Sequence, residues 1–313
     1  MNFDVTAHTV FLVTHGSHAY GTSLPESDVD VRGFAVAPKE IVLGFVHDFE
    51  QQVSSDPVDS IVYNIQKFCK LAADCNPNVI EILFVDDSNI LKVTPAGSLI
   101  RDHRDLFLSK KARHTFAGYA VAQLKRIKTH RKWLLSPPDH KPERTEFGLG
   151  LMKITPDMMG AFDKLLSTEA EGTEIEIDPN IMQLVQLEKQ YRSASQQWTQ
   201  YQSWKATRNE KRAVLEAQFG YDTKHAMHLV RLLRMCLEVL AGKGVNVKRP
   251  DAEELLAIRR GAWTYDYLIE WAEKGSEEID GLYATSTLPD SPDTEKLNAL
   301  CVEAQEIFWS EQT

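Results

Sequence analysis

The chain has 313 residues, 43% hydrophobic and 26% charged, the composition of a globular protein of one large or two modest domains. No apolar run approaches the roughly 18 residues of a membrane span, and MNFDVTAHTV has no basic stretch leading into an apolar one, so neither a membrane anchor nor a leader is expected and the chain reads as cytoplasmic. Cys69, Cys75, Cys236 and Cys301 are scattered without metal-ligand spacing and read as reduced thiols, while a net charge of −10 argues against broad nucleic-acid contact.

Residues 1–105 alternate short apolar runs with turns. Strands are expected at 10–13, 29–36 and 58–63, with 41–45 as a less regular partner of the second. A helix follows at 65–73, and Asn76-Pro77 opens another, since proline suits the first helical position. Residues 113–135 read as one helix stopped by Ser136-Pro137-Pro138. Weak periodicity marks 139–180 as an excursion or a short helical pair. Further helices are expected at 181–218, 221–240, 251–260, 265–274 and 294–309. The outline is α+β: a small mixed-sheet α/β module over 1–105, then a mostly helical domain over 106–313 in which 139–220 is a divergent excursion. Between 106 and 138 the chain has no acid but eight cations, Lys110, Lys111, Arg113, Lys125, Arg126, Lys128, Arg131 and Lys132. That stretch is either a polyanion-binding surface or a helix face paired with acids elsewhere.

The chemistry concentrates between Gly16 and Asp30. A Gly16-Ser17 turn ends the first strand, and Asp28 and Asp30 follow on the second. On a strand, residues i and i+2 share a face, so the two carboxylates would converge while Val29 and Val31 enter the core. Convergent carboxylates suit a hard divalent cation such as Mg²⁺. The backbone N–H groups and hydroxyl of Gly16-Ser17 suit a phosphate. Metal beside phosphate points to phosphoryl or nucleotidyl transfer.

The stretch HGSHAYGTSLPESDVDVRGF resembles the entry to the polymerase-beta-like nucleotidyltransferase superfamily, which carries a Gly-Ser or Gly-Gly pair, a spacer, and D-x-D or D-x-E. More narrowly, the chain resembles the predicted nucleotidyltransferases of the RNA repair pathway found in bacteria and phages, through this stretch and through HRKWLLSPP, NPNVIEIL, VKRPDAEELLAIRRG and STLPDSPD. The superfamily places a third acid on a neighbouring strand. Asp59, heading the run Ile61-Val62-Tyr63, is the candidate, with Asp56 as competitor in a loop-like stretch. Arg32 shares the parity of the two aspartates and would neutralise phosphate or pair with an acid. His15 and His18 flank the turn and are assigned no role.

A second constellation lies in YDTKHAMHLVRLLRMCLEVLAGKG. At about 100° per residue, Tyr221, Lys224, His225, His228 and Arg231 fall on one arc and the aliphatic residues on another. The cations would contact triphosphate oxygens and Tyr221 would stack on a base; the plainer reading is a solvated basic face. The RNA-repair family carries a similar Y-x-x-K-x-A-x-H-x-x-R-L-L segment, which implies a nucleotide grip.

The expectation is therefore an Mg²⁺-dependent (or Mn²⁺-dependent) enzyme moving an NMP from an NTP to an acceptor hydroxyl on RNA or protein. Asp28, Asp30 and Asp59 would serve as catalytic metal ligands. Gly16, Ser17, Arg32, Tyr221, Lys224, His225, His228 and Arg231 would line the nucleotide site. The rival readings are a transferase adding AMP or UMP to proteins, and an NTP-binding module without catalysis.

Overall fold

The computed structural model describes residues 3–56, 58–150, 154–170 and 178–312. Part of the expected 139–180 excursion thus lies outside the described residues. Among those described, no helix is long and apolar enough to cross a membrane.

The fold is α+β, a small mixed sheet followed by a mostly helical region. Chain order begins with α1 (Val5–His8), β1 (Thr9–His15), α2 (Gly16–Tyr20), β2 (Asp30–Ala35), α3 (Lys39–Val42), β3 (Gln51–Ser54) and β4 (Asp59–Asn64). It continues through α4 (Ile65–Ala73), α5 (Pro77–Leu83), β5 (Ile90–Val93), α6 (Pro95–Asp102) and α7 (Ala112–Leu135). The remainder is α8 (Pro156–Ala170), α9 (Pro179–Thr207), α10 (Glu210–Phe219), α11 (Thr223–Leu240), α12 (Ala252–Arg259), α13 (Tyr265–Thr285) and α14 (Thr294–Ser310). The sheet order is β3-β4-β2-β1-β5, with β2 and β4 parallel and the other pairs antiparallel.

Two strand expectations change, and two further strands join the sheet. β2 begins at Asp30, two residues before Arg32, and leaves Asp28 and Val29 in the preceding loop; Val29 is 45% exposed rather than buried. Residues 41–45 do not partner β2, because α3 and an exposed turn take their place and β2 pairs with β1 and β4. β3 and β5, four residues each, complete the sheet edges. The helix expected at 181–218 is two, α9 and α10, broken where Arg208 turns extended.

The chain forms two compact units. Residues 1–129 and 218–313 make the first, and 130–217 the second. The expected division at residue 105 is not where packing changes. Val10, Phe11, Val13 and Phe34 of the sheet and Phe68 of α4 share one continuous core with Val230, Leu233, Ala304 and Phe308 of the C-terminal helices. Helix α14 packs on α4 and α6, and Trp309 Nε1 donates to the Ala37 carbonyl at 3.0 Å. The second unit has a small core of its own, Ile154, Met159, Val185 and Phe162. Its buried Glu188 accepts from Arg144 Nη1 at 2.7 Å and Arg192 Nε at 3.0 Å.

Helix α6 lies tight against β1. A Cβ on Gly97 would stand 2.2 Å from the Val10 carbonyl oxygen, whereas one on Gly118 of α7 would meet nothing within 4 Å. Gly97→Ala is expected to cost about 1–3 kcal/mol by overpacking. Gly118→Ala is expected to add about 0.5–1 kcal/mol, because glycine is the weaker helix former. Urea denaturation of the two variants measures both; a neutral Gly97→Ala would contradict the contact.

Candidate functional site

The site forms where β1 ends and β2 and β4 begin. His15, the last residue of β1, is opposite Asp30, the first of β2. In the parallel β2–β4 pair Asp30 is in register with Asp59. Two acids far apart in sequence thus start adjacent strands side by side. Asp56 stands before that ladder, its carbonyl accepting from Ser54 Oγ at 3.0 Å.

Gly16 is required on two grounds. Its φ of +67° lies in the left-handed region, and a Cβ there would stand 2.2 Å from Asp30 Oδ2. The turn and the acid are therefore in contact. Ser17 follows, half-buried, with its carbonyl accepting from the Thr22 N–H at 2.9 Å. His18 Nε2 meets the Ser27 carbonyl at 3.3 Å, and Ser27 Oγ accepts from the Leu24 N–H at 2.8 Å. These bonds shape the loop that ends in exposed Asp28.

Arg32 occupies the space between the acids. Its Nη2 lies 3.4 Å from Asp30 Oδ1 and its Nη1 3.3 Å from Asp59 Oδ1. The same Nη1 donates to the Val31 and Asp59 carbonyls, each at 2.9 Å. The expected convergence of three carboxylates is not preformed. Among the described residues, Asp28, Asp30 and Asp59 do not bring one oxygen each within 4.8 Å of one another. The physical reason is twofold: Asp28 lies off the strand, and like charges separate where a guanidinium offers itself between them. Even so, the three are hard oxygen donors at one sheet end, the set that Mg²⁺ or Mn²⁺ would take.

The charges are coupled. Partial burial, and secondarily the carboxylates of Asp59 and Asp28, raise the Asp30 carboxyl above the usual range; Arg32 and Lys224 oppose the shift. Lys224, half-buried in the first turn of α11, is therefore within electrostatic reach of Asp30. Among the residues expected on that arc, His228 is half-buried one turn further on, and His225 is drawn to the helix cap, its Nε2 3.5 Å from Asp222 Oδ2.

Tyr221 and Arg231 are corrections. Tyr221 is fully buried, its hydroxyl donating to the Trp263 carbonyl at 2.7 Å, so its ring has no free face for a base. Arg231 is buried too, and its Nη1 donates to Glu81 Oε1 at 2.6 Å. Glu81 has no exposure at all, and its Oε2 accepts from the Tyr20 hydroxyl at 2.6 Å. The Arg231 guanidinium stacks 3.9 Å above the Tyr20 ring, and His15 Nε2 lies 3.5 Å from Glu81 Oε2. Burial drives the His15 pKa down to about 4 despite Glu81, leaving it neutral at pH 7. His15 and Tyr20 bracket the Gly16-Ser17 turn, so this cluster holds the turn from below. Glu81 went unnoticed in the sequence, although a lone acid within Val79-Ile80-Glu81-Ile82-Leu83 signals a buried charge needing a partner.

Comparison with known proteins bears on this edge. Residues 3–136 match the RNA repair pathway DNA polymerase beta family. The resemblance carried by the Gly16–Asp30 motif holds over that stretch, which includes the whole sheet. The match ends at 136, so α11 and the segment 221–233 lie outside it. A 38.9 kDa protein from the nrdC–mobD intergenic region of Enterobacteria phage T4 is 31% identical over 126 residues, which span 37% of this chain and 37% of the phage protein. No solved structure matches the chain.

Two outcomes follow. Glu81→Ala strands the buried Arg231 charge and is expected to cost about 3–5 kcal/mol in denaturant unfolding; a loss under 1 kcal/mol would contradict the pairing. For Asp30 the native carboxyl holds its proton more tightly than the unfolded one. Its favourable contribution is complete below the ordinary aspartate range and disappears as pH rises through the raised native value. Asp30→Asn should therefore raise the melting temperature at pH 7, with the gain shrinking below about pH 4.

Proposed function

We propose that the chain is a divalent-metal-dependent nucleotidyltransferase, moving an NMP from an NTP to an acceptor hydroxyl with release of pyrophosphate. The observation that carries the reading is the Asp30–Asp59 register beside Gly16, on a module that matches a polymerase-beta-type family.

Asp30 and Asp59, with Asp28 from the adjoining loop, would hold Mg²⁺ or Mn²⁺. The ion would neutralise charge on the triphosphate oxygens. The exposed Asp59 would accept the proton of the attacking hydroxyl. Gly16 and Ser17 would offer backbone N–H groups and a hydroxyl to the non-reacting phosphates, and Lys224 would offset their charge. Arg32 keeps two bonds to main-chain carbonyls, so it would stay beside the acids as they turn to a cation and would meet the α-phosphate.

RNA as acceptor draws support from the family description and from α7. Lys110, Lys111 and Arg113 are paired with Asp290, Asp74 and Asp280, but Lys125, Arg126 and Lys128 are exposed and have no ion-pair partner among the described residues. Three outward cations on one helix suit a phosphodiester backbone. One observation favours the non-catalytic alternative, namely Arg32 standing between Asp30 and Asp59.

The test incubates the protein with each labelled NTP and Mg²⁺, offering an RNA oligomer or a protein mixture as acceptor. Label is expected in the RNA, and the Asp28→Asn/Asp30→Asn variant should lose at least about a hundredfold of the rate while melting no lower than wild type. Label appearing in protein alone would transfer the reading to a protein modifier. Full turnover in the double variant, or no Mg²⁺ effect on NTP affinity, would overturn the metal-dependent transfer.

A further inference from the structure

A cavity of about 290 Å³ opens beside the α5–β5 connection, its lining including Phe84, Val85, Arg101, Arg104, Asp105, Lys243 and Val245. It lies on the β5 side of the sheet, toward the end where β1 finishes, since Ile90 at the start of β5 is opposite Val13. None of the acid-edge residues lines it.

Its chemistry is cationic and incompletely satisfied. Arg104 donates from Nη1 to the Arg101 carbonyl at 3.2 Å and stacks 5.5 Å over Phe84, but no carboxylate pairs with it among the described residues. Lys243 likewise has no ion-pair partner among the described residues. Arg101 gives Nη2 to the Val85 carbonyl at 3.1 Å and to the exposed Asp87 carboxylate at 2.6 Å. Its Nε is buried and has no hydrogen-bond partner. A buried guanidinium N–H left unbonded is costly, and Asp87, whose side chain is 86% exposed, can turn to water when a ligand takes its place on Arg101. Against three cations the lining sets one carboxylate, Asp105.

We propose that this cavity binds a phosphate monoester, the phosphate held by Arg101, Arg104 and Lys243 and the rest of the ligand laid against Phe84, Val85 and Val245. Guanidinium forks match phosphate oxygens, and lysine adds a mobile point charge. The volume is near the lower end for small-ligand sites, enough for a nucleotide-sized group. The site is separate from the acid edge and does not depend on that edge carrying out transfer. Its ligand is either a free nucleotide or the phosphorylated end of an oligonucleotide, which share this chemistry.

The test is calorimetric titration of the full chain in EDTA with inorganic phosphate, AMP, adenosine, and one oligoribonucleotide carrying either a 5′-phosphate or a 5′-hydroxyl. Wild type is expected to bind AMP or the 5′-phosphorylated oligomer and to ignore adenosine. Arg104→Ala/Lys243→Ala should weaken that binding at least tenfold, and Lys243→Glu, on an exposed turn, should do so alone. Asp28→Asn/Asp30→Asn should leave it unchanged. A preference for the phosphorylated oligomer over AMP would assign the source to a chain end, and the reverse to a free nucleotide. Equal binding of adenosine, no phosphate ligand bound at millimolar concentration, or undiminished affinity in the Arg104 and Lys243 variants would overturn the site.

Discussion

The buried ion pair between Glu81 and Arg231 organises the rest of the first unit. Taking two charges out of water is expensive, and the expense is tolerable only when geometry is good and the remaining polar atoms are occupied. Here Glu81 meets that condition through two acceptor bonds of 2.6 Å, one from Arg231 and one from Tyr20. Each partner comes from a different part of the chain: α5, α11 and α2. The pair therefore fixes the helical half against the turn at the end of β1. A second tie reinforces it. The Arg249 N–H donates to the Tyr20 carbonyl at 3.1 Å, and the Arg249 side chain is itself held by Glu238 and Asp251. Tyr20 is thus gripped by side chain and main chain alike, and the Gly16-Ser17 turn, four residues upstream, inherits that rigidity.

Seen this way, the acid edge is the soft part of a stiff frame. The strands fix where Asp30 and Asp59 begin, and the bulk of Asp30 against Gly16 fixes the turn beside them. The carboxylates themselves are only half-buried or exposed, and Asp28 belongs to a loop. A rigid backbone with charged ends that can turn is what the proposed metal-dependent transfer would use.

Much of this was legible in the residues, and the failures share a cause. Short, local signals read well: Asn76-Pro77 does cap and open α5, with the Asn76 side chain accepting from the Asn78 N–H. Asp59 heads β4 in register with Asp30, the strand position that the resemblance assigned to a third acid, although an aspartate there could equally have been a turn or cap residue. The helical arc from Tyr221 to Arg231 misled, because spacing shows which residues share a side but not what that side faces. Arg231 faces a carboxylate 150 positions away in sequence, and Tyr221 faces the Trp263 carbonyl. The strand parity of Asp28 failed because pairing begins only at Asp30. β3 and β5 escaped because four-residue edge strands with exposed positions carry almost no pattern.

Arg32 carries a consequence for how β2 and β4 stay paired. Its guanidinium stitches β2 to β4 through the Val31 and Asp59 carbonyls while sitting between the carboxylates of Asp30 and Asp59. The chain thus places its own counter-ion between the two carboxylates that begin adjacent strands. A cation seated between the two carboxylates offsets their mutual repulsion, so the pairing of β2 with β4 at this end does not require two bare acids to tolerate each other.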